Sequence, residues 1–204
     1  MKMRNLAIQL SNLQNHPCNN VELEQYGIDG NLASRWLSDI VSFGDLFEDC
    51  KVLDLGAGNG ILGIGSLLLG ANSATFIESD SDACEVLSKN LHAHELLNSS
   101  EIINYHIDDT NLPIVDADLI ITNPPWGRQI EKADRPFLQT ILSNNKTAHI
   151  LHSSNATHIS NFFRSERWTV EKYGEADFSL PATYSHHNRK RDRTRAGFWR
   201  VSPN

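Results

Sequence analysis

Two short stretches carry residue types that can hold a reactive group in place: Asp54-Leu55-Gly56-Ala57-Gly58-Asn59-Gly60 and Asn123-Pro124-Pro125-Trp126. Glycines let a backbone turn sharply and approach a ligand with no Cβ in the way. Glu78 follows at the end of the next strand-like run, where a carboxylate can accept hydrogen bonds from a ribose diol. Gly58 to Gly63 also satisfies G-x-G-x-x-G, a pattern of dinucleotide sites that is weak alone. Asp54 argues the other way. A carboxylate there would repel a pyrophosphate and suit a ligand carrying a positive amino group.

In the second stretch, two prolines without N–H groups end a strand and stiffen the turn. Asn123 then offers a side-chain oxygen, and Pro124 a carbonyl, at set positions. Such a pair suits an exocyclic amine on an aromatic ring. The lone pair of that nitrogen is delocalised, and acceptors on its hydrogens favour the pyramidal form that can attack an electrophile. Trp126 offers a flat face on which a base can stack. A side-chain amide such as glutamine poses the same chemical problem, so the same turn would serve either substrate.

Both stretches need a scaffold that brings them together. Strand-like runs occur at Lys51–Leu55, Ala74–Glu78, Ile102–His106, Asp118–Thr122, Ala148–His152, Trp168–Tyr173 and Ala196–Val201. Helical periodicity fits Asn31–Phe43, Ile61–Leu69, Ser81–Leu97, a helix capped by Asp134 and running to Leu142, and Asn155–Ser165. Alternating strands and helices predict an α/β fold: a doubly wound, Rossmann-like, mostly parallel seven-stranded sheet with an antiparallel edge strand. In strand order 3-2-1-4-5, strands one and four are neighbours at the switch point, where ligands bind beyond the carboxyl ends. The polar segment Gly174–Asn188, broken by Pro181, reads as a surface loop.

The chain has 204 residues, 40% hydrophobic and 21% charged. One globular domain is expected, with residues 1–45 as a helical extension and cofactor lid ahead of a main body at 46–204. No apolar run is long enough to span a membrane. Cys18, Cys50 and Cys84 are odd in number and far apart, which suits a reducing, cytoplasmic setting. The charge is uneven. Arg189, Lys190, Arg191, Arg193, Arg195 and Arg200 face Asp192 alone near the end, a local +5 in a chain of −7. A loop holding His186, His187, Arg189, Lys190, Arg191 and Arg193 can contact several phosphates. His92-x-His94 and His186-His187 have no Cys or carboxylate at ligand spacing, so no metal is expected. His149 and His152 lie in one strand, where packing is the commoner fate.

The glycine loop together with Asn123-Pro124-Pro125-Trp126 resembles the class I S-adenosylmethionine-dependent methyltransferases that act on amino nitrogens. Glu24-Gln25-Tyr26, Gly63-Ile64-Gly65-Ser66-Leu67-Leu68-Leu69-Gly70-Ala71 and Pro181-Ala182-Thr183-Tyr184-Ser185-His186-His187 narrow the likeness to methyltransferase-like protein five and its archaeal relatives. That resemblance implies methylation of adenine N6 in small-subunit ribosomal RNA. It implies that Asp54, Gly56, Gly58 and Gly60 border the methionine end of S-adenosyl-L-methionine, that Glu78 binds its ribose and that Asp108 accepts from its adenine, with Ile107 or Asp109 lining that pocket. Gln25 and Tyr26 would close over the cofactor. Asn123, Pro124, Pro125 and Trp126 would form the catalytic turn, with Asn123 also beside the cofactor, and His186 to Arg193 would meet RNA. A small zinc-binding activator subunit is a further implied partner. A protein glutamine N5-methyltransferase, a DNA adenine-N6 methyltransferase and a nucleotide-binding module without turnover are the competing readings. The family usually has Phe where Trp126 stands, Asp where Glu78 stands, and Pro-Thr where Gly27-Ile28 stand.

Overall fold

The computed structural model describes residues 2–15, 27–127, 129–179 and 193–204. Its centre is one seven-stranded sheet. The strands are β1 (Lys51–Leu55), β2 (Ser73–Glu78), β3 (Ser100–Asn104), β4 (Leu119–Thr122), β5 (Thr147–Ser153), β6 (Thr169–Ser179) and β7 (Arg193–Ser202), in the order β3-β2-β1-β4-β5-β7-β6. β7 pairs antiparallel with both β5 and β6, while the remaining pairs are parallel. The reversed strand therefore lies second from the edge, and β6 forms the edge itself. The expected sheet and its switch point are present.

Strand side chains alternate between two cores, as a period of two requires. Val52, Phe76, Leu119 and Ile121 pack on one face with helices α1 (Met3–Ser11), α2 (Gly30–Phe43), α3 (Ile61–Leu68) and α4 (Ser81–Ala93). Leu53, Leu55, Ile77, Ile120 and Ile150 pack on the other with α5 (Arg135–Asn144) and α6 (Thr157–Ser165). Both faces are covered, so most side chains of the central strands are apolar. Among the described residues, no helix is long and apolar enough to cross a membrane.

Helix α1 was not expected. Its first turn has no side-chain cap, so the usual start signal is missing; Leu6, Leu10 and Leu13 nonetheless bury against α2. The contact is close. A Cβ on Gly30 would lie 2.5 Å from the backbone nitrogen of Ser11. α4 ends at Ala93, four residues before the expected Leu97, and Leu97–Ser99 form a 3-10 turn.

The segment Gly174–Ser179 is part of β6, not a loop. Pairing with Phe198 down to Arg193 supplies its ladder, and that pairing outweighs polar composition. A bulge at Tyr173 interrupts the ladder between Lys172 and Gly174. Tyr173 there joins a buried polar chain. Its hydroxyl accepts from Trp36 Nε1 at 2.7 Å and lies 2.8 Å from His149 Nδ1. His149 Nε2 lies 2.9 Å from Asp45, which also takes two bonds from Arg200. Burial raises the Asp45 carboxyl, but Arg200 and His149 outweigh it and bring it down to about 2. Burial pushes the His149 imidazole down, against the pull of Asp45. This chain fastens the end of α2 to the β6–β7 hairpin.

Candidate functional site

β1 and β4 are adjacent, with Leu55 opposite Thr122. The Thr122 hydroxyl donates to the Leu55 carbonyl at 2.7 Å. The next residue on each chain leaves the sheet, one into the glycine loop and the other into the double-proline turn. Both open onto one cavity of about 1020 Å³, lined among others by Gly56, Gly58, Glu78, Asp108 and Asn123.

The loop glycines Gly56, Gly58 and Gly60 all have positive φ. At Gly58 a Cβ would meet nothing within 4 Å, so the requirement there is conformational and not one of space. This conformation aims the Gly58 N–H at Glu78 Oε2, 2.8 Å away, while Oε1 accepts from Asp80 N at 2.9 Å. A carboxylate offers about four acceptor sites, which leaves capacity for a diol. Asp54 is fully buried and receives the Gly63 N–H on Oδ2 at 2.8 Å. Its Oδ1 has no hydrogen-bond partner among the described residues. Burial raises its pKa to about 8, with Gly63 opposing the rise and Glu78 adding to it. Asp54 is thus seated behind the loop, at the start of α3, and is not one of the residues lining the cavity.

These bonds decide between the two glycine readings. Several N–H groups that would cradle a pyrophosphate are already taken: Gly58 by Glu78, Gly56 and Ala57 by Ile77 O, Gly60 by Ala57 O, and Gly63 of α3 by Asp54. The last glycine of the dinucleotide-like pattern, Gly63, serves packing: a Cβ there would lie 2.2 Å from the Phe76 ring. The site suits an uncharged ribose and a cationic end, as S-adenosylmethionine provides. Apolar Ile61, Leu62, Ile77 and Ile107 complete that wall. Asp108 lines it too, half exposed, its Oδ1 accepting from Thr110 N at 2.8 Å and from the Thr110 hydroxyl at 2.6 Å. Those bonds hold the Asp108 carboxyl below its usual range.

In the turn, Asn123 and Pro125 reach the cavity, whereas Pro124 and Trp126 are buried. Trp126 is only 7% exposed. One face of its indole stacks on His152, with centroids 5.7 Å apart and planes at 20°. Its Nε1 donates to Asn123 Oδ1 at 3.2 Å. The expectation of an open stacking face is corrected here, because the apolar ring turns inward to the core. An indole N–H can only donate, so it identifies the oxygen end of the Asn123 amide.

Several contributors escaped the sequence reading. Asn90 of α4 binds Gln14 through both its N–H and carbonyl and also donates to Asn59 O at 2.9 Å. It ties the N-terminal segment to the glycine loop. The signal was a polar residue on the apolar stripe of α4, beside Leu91. Lys132 and Arg135 line the far side of the cavity with the exposed Ile130. Asp134 stands at the N-cap position of α5 but makes no cap bond. It meets His158 Nε2 at 2.5 Å and His152 Nε2 at 3.3 Å instead. These three groups are close enough to surround an ion. However, the Ser153 N–H donates to His152 Nδ1 at 2.8 Å, so in the neutral ring Nε2 holds the proton and is not a ligand atom. Gln25, Tyr26 and His186 to Arg191 lie outside the described residues, and of Arg193 only its place at the start of β7 is described.

A family model described as conserved hypothetical protein 95 matches residues 36–181. The chain belongs to this family. The conserved hypothetical protein 95 match runs from within α2 past the end of β6, so it includes both the loop and the turn. The rRNA N(6)-adenosine-methyltransferase METTL5 of Danio rerio is 28% identical over 207 residues, covering 100% of each chain. An uncharacterized protein of Methanocaldococcus jannaschii is 30% identical over 208 residues, covering 93% of this chain and 89% of its own. A candidate RNA methyltransferase of Pyrococcus horikoshii superposes with a TM-score of 0.87 at 32% identity, covering 99% of this chain and 98% of that one. The resemblance to methyltransferase-like protein five and its archaeal relatives is borne out, and the fold is that of class I methyltransferases.

Proposed function

We propose that this chain is an S-adenosylmethionine-dependent methyltransferase acting on the N6 amino group of adenine in RNA, with ribosomal RNA as the first substrate to try. The observation that carries this reading is the shared cavity of Gly58 and Asn123. When bound, S-adenosylmethionine supplies a methyl group activated by its sulfonium. Glu78 would accept from the ribose and Asp108 from the adenine edge of the cofactor, while Asp54, behind the loop, would hold its backbone in place through the Gly63 N–H. Residues 1–45 would act as an extension and lid, because Gln14 is bonded to Asn59 and Asn90 beside the loop.

On the acceptor side, Asn123 Oδ1 would take one hydrogen of the amine and the Pro124 carbonyl the other. Positive charge growing on nitrogen, as the N–C bond forms and the sulfonium S–CH3 bond would break to a neutral thioether, is met by these fixed acceptors until the amine releases its proton to water. Lys132 and Arg135 at the cavity wall add cationic groups suited to phosphate. His186, His187, Arg189, Lys190, Arg191 and Arg193 extend that role in the proposal, consistent with the local charge of the sequence. A small zinc-binding activator remains the partner we expect from the resemblance, to be sought by co-purification.

The test is methyl-labelled S-adenosylmethionine offered with RNA, single-stranded DNA and a glutamine-containing peptide in parallel. The reading expects label in N6-methyladenosine from RNA. Label in the peptide, or in DNA alone, would replace it with the corresponding alternative.

A further inference from the structure

The catalytic turn has a back side, and a cluster of titratable groups is packed against it. Asp134 leads into α5, His152 lies near the end of β5, and His158 sits in the first turn of α6. None of the three lines the cavity. Asp134 and His152 are almost fully buried, whereas the His158 side chain is half exposed. A carboxylate in such a place is retained only if partners satisfy it. Burial raises the Asp134 carboxyl, but the two imidazoles outweigh burial and hold it well below the usual range.

The contacts run in one direction, toward Asn123. Both imidazole Nε2 atoms converge on the same Asp134 oxygen. The Ser153 N–H occupies His152 Nδ1, so Nε2 carries the proton of the neutral ring; it lies 3.3 Å from Asp134 without a hydrogen bond to it among the described residues. The tautomer of His152 is therefore set by Ser153, and its ring is seated close against the Asp134 carboxylate. That ring lies flat against Trp126, and Trp126 Nε1 donates to Asn123 Oδ1.

An asparagine amide has two ends of nearly the same shape and opposite hydrogen-bonding character. The proposed chemistry needs the oxygen, and a donor-only indole selects it. The indole can do so only while its own plane is held. The prolines stiffen the backbone of the turn, yet they leave the Trp126 side-chain torsions to packing.

Resting on the proposed methyl transfer, we infer that His152, anchored by the Ser153 N–H and packed beside Asp134, is a positioning residue for the reaction: it fixes the Trp126 plane and thereby the orientation of the Asn123 amide. His158 closes the arrangement from the solvent side.

The experiment compares His152→Ala and His152→Phe in the full chain. Two readouts are taken: the indole N–H resonance of Trp126, assigned by its loss in Trp126→Phe, and steady-state kinetics with cofactor binding measured separately. His152→Ala should shift the Trp126 resonance and speed its exchange with water at least about tenfold. It should lower kcat about tenfold or more, with the cofactor Kd within about twofold. His152→Phe restores a flat ring against the indole and should recover most of both. A Trp126 resonance unmoved by His152→Ala, or one that moves while kcat stays at the wild-type value, overturns the inference. Should His152→Ala not fold, Asp134→Asn should still shift the resonance and lower kcat about threefold; no shift there overturns it as well. If the unmodified protein transfers no methyl group yet the indole responds, the proposed activity fails and the link from His152 to Trp126 stands.

Discussion

Leu55 and Thr122 are partners across β1 and β4, and the Thr122 hydroxyl donates to the Leu55 carbonyl. One residue later on each strand the chain turns away from the sheet, into the loop that would hold the donor and the turn that would hold the acceptor. Two segments far apart in sequence thus begin side by side, and the parallel register does the aligning.

Asn123→Ala removes the proposed amine acceptor without touching the glycine loop. kcat should fall about 10²–10³-fold, with the cofactor Kd changed less than about twofold. Single-turnover kinetics and calorimetry separate these quantities. A comparable loss in both would give Asn123 a structural role.

Glu78→Ala removes the proposed ribose acceptor and frees the Gly58 N–H, bonded at 2.8 Å in the native loop. Loss of hydrogen bonds to a charged group should weaken cofactor binding about 10–100-fold. kcat at saturating cofactor should stay within about threefold. Titration calorimetry checks the first figure and steady-state kinetics the second.

How far these residues were legible in the sequence depended on locality. The glycine loop and the double-proline turn are defined by neighbouring residues, so their positions could be read directly. Strand order followed from the alternation of elements. Trp126 was misread because the direction of a side chain after a stiff turn depends on what packs behind it, here His152. Asp134 looked like a plain helix cap, since its partners His152 and His158 are far along the chain. Helix α1 lacked a cap, and the end of β6 lacked apolar character; each is held by a distant partner that local pattern does not reveal.

Gly30→Ala should destabilise the fold and spare the chemistry. The added Cβ would crowd the Ser11 backbone nitrogen at 2.5 Å, and backbone cannot swing aside as a side chain can. A cost of about 1–3 kcal/mol is expected, seen as a lower denaturant midpoint at unchanged kcat. An unaltered midpoint would mean that α1 does not dock on α2 in solution.

Asp45 gives a pH dependence with a definite sign. Its folded pKa, about 2, lies below the ordinary value of about 3.9. The stabilisation is therefore full above about pH 4 and is lost as pH falls toward the folded value. Asp45→Asn should cost about 1–2 kcal/mol at pH 7, discounted because Arg200 keeps some solvent contact. The gap between variant and wild type should narrow as the solution is acidified from pH 4 toward pH 2. Denaturant unfolding across that range measures it, and a gap that widens on acidification would contradict the ion-pair account.

The most direct measurement uses hydrogen exchange with a conjugate that joins adenosine, through N6, to an S-adenosylmethionine analogue. If donor and acceptor share one cavity, the conjugate should slow exchange in residues 56–60 and 123–127 together, and Asn123→Ala should weaken the second effect alone. Protection confined to the glycine loop, with the turn exchanging as in the free protein, would contradict the account.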